Sequence, residues 1–244
     1  MFKAVLFDLD GTLLRLDTGE FMKEYLKELS QAVISVLDPS LFVKALLAST
    51  EAMKVNRNPN ITNAQVFWED FSIRLKDDIK TLQPLMDEFY RTRFKNLARI
   101  ISPSSQARFT VEAALDQGLR IALATNPVFP MTAVRQRMVW AGVENLPWEM
   151  VTSYEEMHFC KPHPEYYREI ASMMDLPAET CLMVGNDTEE DLAAFQAGMK
   201  TYLVTDCLYN PSGKAFYPDW EGSLEELARW FEASSWKQCD LSHC

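Results

Sequence analysis

The stretch Ala4-Val5-Leu6-Phe7-Asp8-Leu9-Asp10-Gly11-Thr12-Leu13-Leu14 decides how the rest of the chain is read. A run of Val, Leu and Phe broken by glycine has the composition of a buried strand, and here it stops at Asp8. In an open α/β sheet, chemistry sits beyond the carboxyl ends of the strands, which is where Asp8 and Asp10 fall. Two acids buried there without a partner would cost several kcal/mol, so something positive must come to them. A divalent cation with a phosphate meets that need. Taken alone, Asp-Gly-Thr is also the chemistry of a turn that caps a helix.

The 244 residues are 48% apolar, enough to bury one large core or a core plus an insert. No repeat or low-complexity tract is visible. With 24 Lys and Arg against 35 Asp and Glu the formal charge is -11, and no basic cluster offers a face to nucleic acid or to an anionic membrane. Small anionic substrates remain open to it, because a metal and a few placed cations can offset local charge. The chain enters its first strand at once, without a signal-like segment, and no apolar run approaches the ~18 residues of a membrane span. A soluble, cytoplasmic protein is the expectation. Nothing in the pattern specifies an oligomer. Five cysteines, Cys160, Cys181, Cys207, Cys239 and Cys244, are unevenly spaced and read as reduced thiols. The last two, with His243, read as a frayed tail rather than a metal clip.

From residue 17 to residue 101 the pattern is helical. Asp17 and Thr18 can cap a helix whose apolar positions Phe21, Tyr25, Leu26, Leu29, Val33 and Leu37 recur every three or four residues. Asp38-Pro39 stops one helix and starts the next, 55–62 is turn chemistry, and two further helices follow, around Ala64 to Leu75 and around Pro84 to Phe94. Beyond Pro103 helix and strand alternate, the grammar of a parallel sheet with crossovers. Strands are expected at 120–125, 149–152, 181–184 and 201–204, and a helix should carry the chain from Gly185-Asn186-Asp187-Thr188 to Gly198. The final helix has a capping box, Ser223 to Glu226. The fold expected is α/β: a Rossmann-like parallel-sheet core of residues 1–16 and 102–244, with an inserted four-helix cap of residues 17–101. Linkers near 15–18 and 100–104 would hinge the cap over the site.

Asp8-Leu9-Asp10-Gly11-Thr12 resembles the first motif of the haloacid dehalogenase superfamily, mostly magnesium-dependent phosphatases. Three more signals sit in the order that family has them. Thr125-Asn126, at a strand end, resembles the second motif; a hydroxyl and the next backbone N–H supply two donors to a phosphoryl group. Lys161, in Lys161-Pro162-His163-Pro164, resembles the third and can neutralise both the nucleophile and the phosphoryl oxygens. His163 itself reads as solvated loop. Gly185-Asn186-Asp187-Thr188-Glu189-Glu190-Asp191 resembles the fourth, usually Gly-Asp with a second Asp four or five positions on. Here Asn186 follows the glycine. Either Asp187 is the direct metal ligand with Asp191 behind it, or Asn186 coordinates through its amide oxygen, and the carboxylate is the ligand magnesium favours. The helical insert resembles the cap of the superfamily's first subclass.

By that resemblance the chain is a magnesium-dependent phosphomonoester hydrolase acting on a small phosphorylated metabolite. Asp8 attacks phosphorus to give an aspartyl-phosphate, and Asp10 protonates the leaving oxygen and then activates water. Mg²⁺ is held by Asp8, the Asp10 backbone carbonyl and an acid of the fourth motif. Family members that cleave carbon–halogen bonds carry tyrosine, and those that cleave carbon–phosphorus bonds alanine, where Asp10 stands; both chemistries are disfavoured. A sugar phosphomutase shares every core residue, and a noncatalytic phosphate-binding module would not need the intact acid pair. Arg15, Arg57, Asn58 and Trp68 are the cap positions that could face the site.

Overall fold

The computed structural model describes residues 1–234 and Lys237, so the tail cysteines and His243 lie outside the described residues. Six strands, β1 (Ala4–Phe7), β2 (Arg120–Leu123), β3 (Met150–Val151), β4 (Cys181–Gly185), β5 (Lys200–Val204) and β6 (Trp220–Gly222), form one parallel sheet in the order β3-β2-β1-β4-β5-β6. The order reverses direction at β1, and the crevice at such a switch point is where α/β sheets bind ligands. The helices are α1 (Thr18–Val33), α2 (Pro39–Val55), α3 (Asn63–Leu75), α4 (Ile79–Thr92), α5 (Ser105–Asp116), α6 (Met131–Trp140), α7 (Pro164–Met173) and α8 (Leu224–Glu232).

Alternation along the strands splits the interior in two. Val5 and Phe7 of β1, with Ile121, Leu123, Leu182 and Val184, belong to the cluster that holds α5, α6 and α8. Ala4 and Leu6, with Ala122, Cys181 and Met183, belong to the cluster that holds α7 and the 3₁₀ turn Leu192–Ala197. Both faces of the sheet are thus covered, as a parallel sheet requires.

Between β1 and α5 the described chain holds α1 to α4, two 3₁₀ turns and no strand. The caps read from sequence are present: Asp17 accepts from the Glu20 N–H at 2.7 Å, and Asp38 accepts from the Ser40 N–H at 2.9 Å with Pro39 at the first helical position. The apolar faces of these helices, through Phe21, Tyr25, Phe42, Phe71, Phe89 and Phe94, run without a break into the α5–α6–α8 side of the core. The two linkers touch where Ser102 donates to the Arg15 carbonyl at 3.4 Å. A second attachment lies at the start of α3. Asn63 and Ala64 donate from their backbones to the Met157 and Tyr154 carbonyls, each at 2.7 Å, and the buried Asn63 side chain donates to Phe159 O at 3.2 Å.

Three local expectations change. Pro84 lies inside α4 rather than at its start: it is on the exposed side, where water can serve the freed carbonyl, while Leu82, Met86 and Phe89 carry the buried face past it. The segment from Thr188 to Gly198 is a turn and a 3₁₀ helix, not an α-helix, its N–H groups reaching back three residues, as from Ala194 to Asp191 O at 3.2 Å and from Gly198 to Phe195 O at 2.9 Å. And β6 falls where the sequence predicts no strand. Its placement comes from Asp219, which accepts from Lys200 Nζ at 2.7 Å and from the Thr201 N–H at 2.8 Å, and from Trp220 packing edge-on against Phe2.

Candidate active site

Register brings the motifs together. Phe7 pairs with Leu123 on one side and Val184 on the other, so Asp8, Thr125 and Asn186 all leave the sheet at one edge. Asp8 stays in the ladder through its N–H to Val184 O at 2.8 Å. The chain then turns sharply, with Gly11 at φ +87° and its N–H on Leu14 O at 2.8 Å. A Cβ at Gly11 would stand 2.3 Å from Asn186 Nδ2, and one at Gly185 would stand 2.1 Å from Asp191 Cγ, so both positions require glycine to let the motifs close up.

Asp8 is buried, and each of its oxygens is engaged: Lys161 Nζ donates to Oδ1 at 2.8 Å, and Thr12 Oγ1 to Oδ2 at 3.0 Å. Lys161, almost wholly buried, also donates to Asp191 Oδ1 at 2.6 Å. Burial works to lower the lysine's pKa, but Asp191 and Asp8 outweigh it and hold the ammonium well above its ordinary value. The other Asp191 oxygen accepts from the Asp187 N–H at 2.9 Å. Asp191 therefore stands behind Lys161 with both oxygens occupied.

The fourth-motif neighbours differ in what they face. Asn186 donates to Cys207 O at 2.7 Å, which orients its amide, and its Oδ1 lies 3.0 Å from the same Thr12 Oγ1 that serves Asp8. Asp187 turns Oδ1 onto the N–H groups of Glu189 and Glu190 at 2.7 and 2.8 Å. Burial raises its pKa against those two bonds. Thr125 is buried at the strand end, its carbonyl held by Thr152 Oγ1 at 2.7 Å and Tyr166 OH at 2.8 Å. Asn126 donates to Glu190 Oε2 at 2.9 Å and leaves its own Oδ1 buried without a partner among the described residues.

These groups line a cavity of about 320 Å³. Asp8, Asp10, Thr125, Asn126, Asn186, Asp187 and Asp191 all reach it, and Lys161 comes to it through Asp8. Its far wall is made by Leu16 of the linker and by the helical insertion: Thr18, Phe21, Met22, Thr50 and Lys54. None of the four cap positions proposed from sequence is on that wall. Arg15 lines an adjoining groove, with Cys207 and Leu208, that shares Leu16, Thr18, Asn186 and Tyr209 with the cavity; Asn58 lies in an exposed turn, and Trp68 packs on Phe67 and Phe71. Arg57 instead reaches the core loop after Lys161, pairing with Glu165 and donating to His163 Nδ1. His163 is accordingly not a solvated loop residue: its Nε2, 2.9 Å from the Lys54 carbonyl, carries the proton, and its Nδ1 accepts from Arg57.

Sequence reading missed three charged groups of the site. Lys54 stands 3.9 Å from Glu190, whose pKa burial raises, and both reach the cavity. Arg137, fully buried on α6, forms an ion pair with Asp10. Burial pushes the Asp10 carboxyl upward, and the guanidinium opposes it. A signal for Arg137 was present: it falls on the apolar stripe of Ala133, Val134 and Met138, where a charge must have a buried partner.

Residues 2–198 match the family model described as haloacid dehalogenase-like hydrolase. The glyceraldehyde 3-phosphate phosphatase of Methanothermobacter thermautotrophicus is 27% identical over 208 residues, spanning 84% of this chain and 86% of that protein. Among solved structures, CbbY from Rhodobacter sphaeroides in complex with phosphate superposes with a TM-score of 0.59 at 19% identity, over 93% of this chain and 96% of the other. An L-2-haloacid dehalogenase from Xanthobacter autotrophicus does so with a TM-score of 0.55 at 16% identity, over 94% and 98%. These two share the fold.

Proposed function

Because the chain belongs to the haloacid dehalogenase-like hydrolase family, we propose that it is a phosphatase that hydrolyses small phosphate monoesters through a phosphorylated Asp8. One observation carries this reading. The two aspartates at the end of β1 each have a buried cation of their own, Lys161 for Asp8 and Arg137 for Asp10, and both face one small cavity. An Asp10 so placed separates this site from carbon–halogen chemistry, which needs no acid for a leaving oxygen.

In the first step an Asp8 oxygen attacks phosphorus as the bond to the leaving oxygen breaks, and that oxygen takes its proton from the Asp10 carboxyl. In the second the Asp10 carboxylate takes a proton from water, the water oxygen attacks phosphorus, and the bond to Asp8 breaks to release phosphate. Lys161 screens the nucleophile from the anionic substrate, and Thr125 offers its hydroxyl to a phosphoryl oxygen. Asp191 serves Lys161 rather than the substrate.

The acids that reach the cavity, Asp8, Asp10, Asp187, Glu190 and Asp191, outnumber the cations Lys54, Lys161 and Arg137, and a phosphate adds to the imbalance. Among the described residues no three His, Cys, Asp or Glu side chains converge to bind a metal by themselves. The available donors are all oxygens, of Asp8, Asn186, Asp187 and the Asp10 backbone, a set that suits a hard ion such as Mg²⁺ that keeps several waters. When bound, such an ion supplies charge neutralisation between nucleophile and phosphate. We place Asn186 beside Asp8 as the ion's side-chain ligand, since Asn186 Oδ1 and Asp8 Oδ2 each lie 3.0 Å from Thr12 Oγ1, with Asp187 contributing through the oxygen not turned to the backbone.

The cavity's size and its apolar wall of Leu16, Phe21, Met22, Val128 and Phe129 suit a compact organic phosphate, in keeping with a relative named for glyceraldehyde 3-phosphate. Residues 17–101 act as the lid, moving about 15–18 and 100–104 and settling on the 154–163 loop and the start of α7. Phosphate release from a panel of small phosphomonoesters in the presence of Mg²⁺ tests the function. Asp8→Asn, nearly isosteric, should abolish release and hydroxylamine-sensitive phosphoprotein while leaving the melting temperature close to wild type. Retention of more than a few percent of activity overturns the assignment.

A further inference from the structure

Arg137 has no counterpart in the motifs and is not needed to balance Asp8, which Lys161 already serves. It is one of the largest fully buried side chains among the described residues. Its Nε donates to the Ala133 carbonyl at 3.3 Å on its own helix, and its guanidinium carbon sits 4.6 Å from the centre of the Phe129 ring. Nη1 donates to Asp10 Oδ2, while Nη2 has no partner among the described residues. The head group is thus held on three sides by helix, ring and carboxylate, a planar cation fixed in place.

What this does to Asp10 is specific. The backbone at Asp10 is pinned by the Gly11 turn and by the bridge to Leu14, so the side chain's remaining freedom is its own rotation. Arg137 removes that freedom by taking Oδ2. The other oxygen, Oδ1, is buried and has no partner among the described residues, at a residue that lines the cavity. An unsatisfied buried acceptor carries a desolvation cost, and at a residue lining the cavity it is the Asp10 oxygen left free for chemistry.

We propose that Arg137 is a positioning residue for proton transfer: by binding Asp10 Oδ2 it presents Oδ1 alone to the substrate's leaving oxygen, and then to water. The proposal rests on the phosphatase reading above. The proton passes from Asp10 Oδ1 to the leaving oxygen as the phosphorus–oxygen bond breaks, and it returns to Asp10 from the attacking water. Arg137 neither gives nor takes one. Phe129 links this arrangement to the lid, since its ring lies 5.1 Å from that of Tyr25 in α1.

The test exploits the leaving group. A nitrophenolate departs with little help, whereas an alkoxide needs its proton at the moment of departure. With Mg²⁺ present, kcat/KM for propyl phosphate and for p-nitrophenyl phosphate is compared across wild type, Arg137→Met, Arg137→Lys and Asp8→Asn. Because kcat/KM covers the steps up to leaving-group departure, it isolates the transfer in question. Arg137→Met should lose about 100-fold or more on propyl phosphate and less than about 10-fold on p-nitrophenyl phosphate, in line with the reach of general acid catalysis. Arg137→Lys, which can pair with Asp10 but lacks the planar fork, should lose less with the same bias. It carries the comparison if the methionine variant does not fold. Equal losses on both substrates, or none on either, overturn the positioning role. A wild type inactive on both overturns the phosphatase reading itself, and the role with it.

Discussion

The two walls of the cavity are built on opposite terms. On the sheet side, Asp8, Lys161, Asp191 and Thr12 are buried, and their charged and polar atoms are matched at distances of 2.6 to 3.0 Å. On the helical side, Lys54 and its partner Glu190 are partly exposed, and their ion pair crosses between the insertion and the core, as does the half-exposed pair of Arg57 and Glu165 outside the cavity. Charges in a dry, matched network are expensive to disturb, while pairs open to water are worth little and can be remade. The first wall is suited to chemistry that cannot tolerate misplacement. The second is suited to the parting and closing proposed for the lid.

Removing the cation of the sheet side should break the contrast most severely. Lys161→Met leaves Asp8 and Asp191 facing each other without compensation, and such truncations of buried pairs cost about 3–5 kcal/mol. Urea unfolding should register that loss together with complete loss of turnover. A variant as stable as wild type would mean that the pair is less buried, or less charged, than the 2.6 and 2.8 Å contacts indicate.

A smaller effect sharpens the picture within the fourth motif. With Asn186 beside Asp8 and Asp187 partly spent on the Glu189 and Glu190 amides, Asn186→Ala should weaken Mg²⁺ binding at least about 10-fold, and Asp187→Asn less. Calorimetric titration of Mg²⁺ into each variant, with inorganic phosphate present, reads the difference directly. The reverse order would show that carboxylate charge outweighs proximity to Asp8.

The helical side should give the smallest response. Arg57→Ala removes the pair to Glu165 and the bond to His163, both half-exposed, and should change unfolding free energy by no more than about 1 kcal/mol. What it should change is access. Cys160 lies buried next to Lys161, and burial pushes its thiol up to about 12, so at pH 8 it should resist iodoacetamide in wild type. Peptide mapping should find it labelled faster in Arg57→Ala if the pair helps to hold the insertion on the 154–163 loop and the start of α7. Unchanged labelling would assign that hold to Asn63 and Ala64 instead.

Along the chain, what could be read in advance followed from local chemistry. Aspartates before prolines or first turns marked α1 and α2, glycines marked helix ends, and alternation of helix and strand implied the parallel sheet. The four motifs were legible because each sits at a strand end or the loop after it, where a polar residue interrupts an apolar run. What escaped were features whose cause lies far away in sequence. β6 depends on Asp219 reaching Lys200 and Thr201, and Pro84 is tolerated because α4 turns its other face inward.

The sequence alone determined the order of β1 to β5 and of the helices between them, and the acid pair at the end of β1, because strand ends, caps and the Asp8–Asp10 spacing are properties of neighbouring residues. Only the tertiary structure decided which cation each acid receives, that Arg57 and His163 join insertion to core, and that Lys54 rather than Arg15 or Trp68 faces the cavity. Arg137 and Asp10 stand 127 positions apart. Nothing local to either specifies the other; the sheet register and the packing of α6 bring them together, and burial then makes the pairing obligatory.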